Sequence, residues 1–313
     1  MPNHSPQMAI PSRPTVPVSL IVVAVVALLA SLAIAVPGDP EWWKVVVLGI
    51  VQGITEWLPI SSTGHLLIVS DLISYRGSIG GTFEIFIQFG TVLSVVAFYA
   101  HDLLAQGRAL LGRRTSAEAI AARRLWIGVV IAAVPAAVIG VAFRDFIKAV
   151  LFETPQVIAG ALIVGGIVFL LIERFPPRAA TTHELGQITP LQALGVGVAQ
   201  VFALIPGMSR SGSSIVGGLL AGLDRKMATA FSFYLSIPVL GAATLVDLLG
   251  SLDQIQPADW GRLLLGAVVA MIVGYLTIGW LLHYIARHNF VAFGLYRIVV
   301  GVLILLLAGV GML

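Results

Sequence analysis

Long apolar runs separated by short polar connections dominate the chain. Runs long enough to cross a bilayer lie at about 82–104, 124–146, 155–173, 226–249, 261–285 and 290–312. The run at 18–36 predicts an extra N-terminal transmembrane helix, although Ala33-Ile34-Ala35 also resembles the cleavage site of a signal-like segment. Residues 1–17 are polar and rich in proline, which predicts a disordered tail.

Two further apolar segments are interrupted in the middle. Pro59 breaks the segment 44–74, and Pro206-Gly207 breaks the segment 188–222. Each predicts a re-entrant hairpin, a helix followed by a break and a second helix. The order of elements after each hairpin is similar, so we expect inverted-topology repeats at 44–174 and 186–313. The predicted fold is an all-α polytopic membrane protein.

Composition agrees with that class and limits the chemistry. Hydrophobic residues make up 58% of the chain and charged residues only 11%. The sequence contains no cysteine, which excludes thiolate nucleophiles, thiolate metal sites and disulfides. A net charge of +3 says little by itself, and no nucleic-acid partner is implied. Five arginines between 108 and 124 predict a cytoplasmic connection there, so the first hairpin would enter from outside and the second from inside.

Polar side chains cluster at the break of the first hairpin. Gln52 and Glu56 are four residues apart, so a helix places them on one face. After Pro59, N-cap candidates for the next helix, expected to begin near Gly64-His65, are Ser61, Ser62 and Thr63. Free backbone N–H groups at such a helix start bind phosphate well.

The second hairpin repeats this chemistry around an arginine. Ser209, Ser211 and Ser214 flank Arg210, and Gly212 allows close approach of the backbone to an anion. Arginine suits bidentate phosphate recognition and stays charged when partly buried. Ionisable groups in apolar segments are costly and usually functional. We therefore expect both hairpins to form one anion site.

Together these groups predict phosphoryl transfer. Arg210 and the helix starts would stabilise charge on the phosphate oxygens. His65 could act as nucleophile or as general acid and base; Glu56 could bind a metal, orient His65 or activate water. Ser62 is an alternative nucleophile. Glu84 and Gln88, one turn apart near the start of a span, are expected to support the site through hydrogen bonds.

The motifs of the two hairpins and of the span that follows the first one resemble those of the undecaprenyl-diphosphatase family of bacteria, also called bacitracin-resistance proteins. The matching strings are Gln52 and Glu56 with Pro59 to His65, Pro206 to Ser214, and Thr82 to Gly90. The similarity covers about residues 44–313, so the run at 18–36 lies outside the usual family core. Gln52 stands where many members have Glu, and Ser214 where many have Thr. The first difference removes a charge from the metal site that the resemblance implies at Glu56 and Gln52.

The resemblance implies that the protein removes the terminal phosphate of undecaprenyl diphosphate with the help of Mg²⁺ or Ca²⁺. That reaction recycles the lipid carrier for peptidoglycan synthesis and confers bacitracin resistance. It also implies a bacterial plasma-membrane location, with the active site facing outside, and essential roles for Glu56, His65 and Arg210. Its hydroxyl positions fall on Ser62, Ser209, Ser211 and Ser214.

Several alternatives stay open. Inverted repeats with broken helices are also typical of transporters, so the protein could instead flip a phosphorylated polyprenyl lipid. The density of hydrolytic groups favours the phosphatase. The nucleophile could be His65, Ser62 or water, and a homodimer is as compatible with the sequence as a monomer.

Overall fold

The computed structural model describes residues 18–37, 39–75, 82–112, 115–143, 146–147, 154–177 and 180–311. The predicted disordered tail at 1–17 lies outside these residues. The helices are α1 (Val18–Ala35), α2 (Trp42–Thr55), α3 (Ser62–Leu72), α4 (Thr82–Phe98), α5 (Ala100–Leu111), α6 (Ala117–Ala142), α7 (Pro155–Arg174), α8 (Pro190–Val201), α9 (Arg210–Leu220), α10 (Arg225–Ser251), α11 (Trp260–Ile285) and α12 (Val291–Gly309). Over the described ranges the regular structure is helical throughout, as expected.

Five of these helices, α6, α7, α10, α11 and α12, are long and apolar enough to cross a membrane. This confirms the predicted class of multi-pass helical membrane protein. The predicted span at 82–104 corresponds to two helices, α4 and α5, which together are long and apolar enough to form one broken span. The chain bends by 67° between α4 and α5. At the bend, the Tyr99 ring is buried 4.8 Å from the Tyr234 ring, a long-range contact that an apolar run does not reveal.

Both predicted hairpins are present as broken helices. In the first, α2 ends at Thr55 and α3 begins at Ser62, two residues before the expected start. In the second, α8 ends at Val201 and α9 begins at Arg210. Asp224 caps α10, because its carboxylate accepts the Met227 N–H at 2.8 Å.

The first helix of each hairpin packs against a long helix from the other half of the chain. α2 lies along α11, and α8 lies along α6. Small residues permit this close approach. A Cβ at Gly53 would lie 2.9 Å from the Ala270 carbonyl oxygen, and one at Gly197 would lie 2.6 Å from that of Ala132. The two halves are therefore interleaved, which brings the hairpin breaks together in the protein interior.

The extra N-terminal helix contacts this core. α1 packs on α11, where the backbone of Ile34 and Ala35 lies against Gly261. Just after α1, Asp39 accepts hydrogen bonds from Arg262 at 2.5 and 2.8 Å. Burial raises the pKa of Asp39, but the Arg262 guanidinium and the Glu41 N–H outweigh it, so the net pKa is below its usual value.

Candidate active site

The breaks of the two hairpins meet in the interior, and each ends on a serine with nearly the same backbone angles. The residues that precede α3 and α9, Ser61 and Ser209, have positive φ angles of 73° and 72°. Residues other than glycine rarely adopt such angles, and they concentrate at functional sites. The Ser211 hydroxyl joins the hairpins directly by donating to the Leu58 carbonyl at 3.1 Å.

A buried ion pair lies where the breaks meet. Arg210 Nε lies 3.4 Å from Glu56 Oε1, and both side chains are less than a tenth exposed. The other carboxylate oxygen of Glu56 accepts the Ser62 hydroxyl at 2.9 Å and the Gln52 amide at 3.2 Å. The predicted grouping of these residues is thus present, and Glu56 is its common partner.

Arg210 also retains donor capacity. Its Nη1 donates to the Ser232 carbonyl at 3.1 Å, and its guanidinium lies 5.7 Å from the Trp57 ring centre. Trp57 is fixed in turn by a 3.1 Å bond to Ser94. Nη2 is buried and has no hydrogen-bond partner among the described residues. A charged donor in that state is a ready ligand for an anion.

A cavity of about 290 Å³ opens beside this pair. The predicted site residues that line it are Glu56, Ser61, Ser62, Thr63, Gln88, Ser209 and Arg210. Its remaining wall is largely apolar and includes Ala136, Leu204 and Leu240. A polar centre with apolar walls suits a ligand that combines an anionic group with a hydrocarbon chain.

Other predicted phosphate ligands lie outside that wall. Ser214 is fully buried, donates to the Arg210 carbonyl at 2.8 Å and lies 2.7 Å from the Ser232 hydroxyl. Gly212 already donates its N–H to Ser209 Oγ at 3.1 Å. Ser211 is committed to Leu58. In this arrangement these three residues hold the second hairpin in shape.

His65 points away from the ion pair. Its Nδ1 lies 2.7 Å from the Ser61 carbonyl oxygen and therefore carries the proton. Its Nε2 lies 2.8 Å from the Tyr296 hydroxyl on α12, and the two rings stack. The residues that line the cavity do not include His65. The structure thus groups Glu56, Ser62 and Arg210, with His65 behind the Ser61 backbone.

The chain is similar to known proteins over most of its length. The family model described as bacitracin resistance protein BacA matches residues 45–303. The chain belongs to the BacA family. It is 45% identical over 278 residues to the undecaprenyl-diphosphatase of Deinococcus radiodurans, covering 87% of this chain and 97% of that protein. It is 44% identical to undecaprenyl-diphosphatase 1 of Burkholderia lata, covering 86% and 96%. The predicted resemblance to this family is therefore confirmed.

In this BacA-family chain, sequence reasoning missed Arg297. Its side chain on α12 is fully buried. It donates to the Pro59 carbonyl at 3.0 Å in the first break and to the Gly207 and Met208 carbonyls at 3.1 and 2.9 Å in the second. It also donates to two carbonyls of α7. A lone arginine inside the apolar run 290–312 was the signal that could have revealed it.

The remaining predicted residues occupy supporting positions. Gln52 lies behind Glu56, as its bond to the carboxylate shows. Gln88 reaches the cavity from α4, whereas Glu84, one turn earlier, is not among the lining residues. Within the described part of the chain, no group of three His, Asp or Glu side chains could hold a metal by itself.

Proposed function

We propose that this protein hydrolyses undecaprenyl diphosphate to undecaprenyl phosphate and inorganic phosphate in the membrane. The observation that carries the proposal is the buried Glu56–Arg210 pair, with Ser62 on the carboxylate and an unpaired guanidinium nitrogen beside a cavity. The BacA-family relatives of Deinococcus radiodurans and Burkholderia lata match this chain over nearly their whole length, and both are named undecaprenyl-diphosphatases.

Arg210 and the start of α9 would bind the diphosphate. A buried guanidinium with a free donor stabilises the negative charge that grows on the phosphoryl oxygens during transfer. The Trp57 ring and the Ser232 carbonyl hold it in place before substrate arrives. Preorganised charge of this kind is a large source of rate enhancement.

Ser62 is the hydroxyl best placed to attack. Its Oγ already donates to Glu56 at 2.9 Å, the geometry of a nucleophile paired with a general base. Attack on the terminal phosphorus forms a Ser62–phosphate bond and breaks the bond to the bridging oxygen, and undecaprenyl phosphate leaves. Glu56 takes the hydroxyl proton. Water then attacks the phosphorus of the phosphoserine, and the bond from phosphorus to the Ser62 oxygen breaks. Glu56 returns its proton to that oxygen, and both protons of the water leave with the phosphate as H2PO4−. The orientation of His65 toward Tyr296 makes it the weaker candidate for the nucleophile.

A divalent cation, Mg²⁺ or Ca²⁺, fits these residues as a partner of the substrate. Mg²⁺ is usually held by one or two carboxylates together with substrate phosphates. Glu56 supplies one carboxylate, and Gln52 and Ser62 supply neutral oxygens beside it. Such an ion would neutralise diphosphate charge. The neutral Gln52 leaves the protein with a single negative ligand there.

The positions of the basic connections support a plasma-membrane enzyme whose active site faces the outer side. The matching φ angles of Ser61 and Ser209 support the inverted-repeat hypothesis for the two halves. The apolar cavity wall suits a prenyl chain that enters sideways from the bilayer.

The test is phosphate release from a polyprenyl diphosphate by the purified protein, with and without EDTA. Glu56→Gln and Arg210→Met should each reduce release at least about a hundredfold, since each removes charge from the reacting centre. Rapid quenching with labelled substrate should trap phosphate on wild-type protein and none on Ser62→Ala. If the substrate is hydrolysed but no phosphate is trapped on the wild-type protein, water attacks the phosphorus directly. No release from folded protein with any divalent ion would favour lipid transport.

A further inference from the structure

Gln200 is a buried amide in the wall of the cavity that has no partner. It lies in the last turn of α8, is 1% exposed and lines the cavity together with Glu56 and Arg210. Neither its Nε2 nor its Oε1 makes a hydrogen bond within the described ranges. Buried side-chain amides are nearly always hydrogen-bonded, and exceptions need an explanation.

The first hairpin shows why this amide is unpaired. Gln52 occupies the corresponding position in α2 and donates to Glu56, four residues later, at 3.2 Å. Four residues after Gln200 the chain has Leu204, which cannot accept a hydrogen bond. Gln200 therefore has a polar side chain but lacks the hydrogen-bond partner, four residues later in the helix, that Gln52 has.

A second unpaired donor lies in the same wall. Arg210 Nη2 is also buried without a partner among the described residues. Two buried donors without partners, one cationic and one neutral, line the same cavity. The ligand that satisfies both carries several acceptor oxygens and negative charge. A diphosphate has this chemistry.

We propose that Gln200 is a substrate-binding residue whose Nε2 donates to a non-bridging oxygen of the diphosphate while Arg210 Nη2 binds another. This inference rests on the proposed diphosphatase function. The Nε2 and Oε1 atoms of Gln200 are both buried, although the residue lines the cavity. The proposed bond therefore requires the side-chain amide to rotate toward the cavity when the ligand binds. Gln200 takes no part in proton transfer, because a carboxamide does not titrate.

The test compares Gln200→Leu with Gln187→Leu, a matched change at an exposed glutamine. Thermal unfolding is followed with and without inorganic pyrophosphate, and kcat and KM are measured on a polyprenyl diphosphate. Gln200→Leu should unfold at or above the wild-type temperature, because it removes an unsatisfied polar group. Its KM should rise about ten- to a hundredfold with kcat nearly unchanged, and stabilisation by pyrophosphate should disappear. Gln187→Leu should match wild type.

Three results separate the possible failures. A normal KM and normal pyrophosphate stabilisation in Gln200→Leu would overturn the inference and leave the diphosphatase proposal intact. A lower unfolding temperature with unchanged KM would assign Gln200 a structural role and also overturn it. In the third result, wild-type protein releases no phosphate, and pyrophosphate stabilises the wild-type protein but not Gln200→Leu. That result would support the anion site at Gln200 and refute the proposed hydrolysis. Should Gln200→Leu not fold, Gln200→Met gives the same comparison with an unbranched side chain.

Discussion

Replacing Gly165 with alanine tests whether Arg297 holds the two hairpin breaks together. Gly165 lies on α7 directly against the Arg297 guanidinium. A Cβ there would lie 2.0 Å from Nη2 and 2.6 Å from Cζ. The guanidinium would have to move by about 1.5 Å to reach an ordinary contact distance of about 3.5 Å.

That movement would break the bonds from Nη2 to the carbonyls of Ala161, Gly207 and Met208, which are now 3.3, 3.1 and 2.9 Å long. Hydrogen bonds to charged groups contribute about 1.5–3 kcal/mol each, and alanine returns about 1 kcal/mol of helix propensity. Partial relaxation leaves an expected net loss of roughly 2–4 kcal/mol. For 313 residues the loss corresponds to a fall of roughly 3–6 °C in unfolding temperature.

Gly160→Ala is the matched control, since it makes the same change on the same helix with nothing within 4 Å of the new Cβ. Thermal unfolding in detergent and diphosphatase activity are measured for both variants. Gly165→Ala should unfold at a lower temperature and lose most activity, and Gly160→Ala should resemble wild type. Combined with Arg297→Met, the Gly165→Ala change should cost much less than alone, because the clash is gone. Equal behaviour of the two glycine variants would refute the assigned role of Arg297.

Three further outcomes are expected. Ser62→Ala should abolish phosphate release and leave the unfolding temperature within a few degrees of wild type, because Glu56 keeps its other partners; substantial residual turnover would count against Ser62. Ser214→Ala should lower stability by about 1 kcal/mol without changing KM, since its hydroxyl bonds only protein groups; a raised KM would return it to the phosphate site. Asp39→Asn should cost about 1 kcal/mol at neutral pH. The lowered pKa of Asp39 means that its contribution is complete above pH ~4 and is lost as pH falls through the folded pKa. The gap to wild type in unfolding temperature should therefore close on acidification, and a constant gap would contradict the ion-pair explanation.

The polar centre is stable inside an apolar fold because its charged groups form ion pairs and hydrogen bonds across the two breaks. Glu56 neutralises part of the Arg210 charge, and Arg297 is held by five backbone carbonyls instead of a carboxylate. Buried charges are tolerated only with such partners. The helix breaks supply three of those carbonyls, at Pro59, Gly207 and Met208, so the irregular backbone and the buried cation stabilise each other.

The sequence by itself determined the features that depend on local chemistry. Apolar run length placed the spanning helices, Pro59 and Pro206 placed the breaks, and residue type marked Glu56, Ser62 and Arg210 as reactive groups. The predictions of helices and breaks succeeded because hydropathy and proline geometry act within a few residues of the chain.

Only the tertiary structure decided which of these groups meet. Glu56 and Arg210 are 154 positions apart and come together because α2 packs on α11 and α8 packs on α6. The same packing turns His65 toward Tyr296 and leaves Gln200 unpaired. Such contacts depend on shape complementarity between helices distant in sequence, and a local pattern of polar and apolar residues carries no information about it.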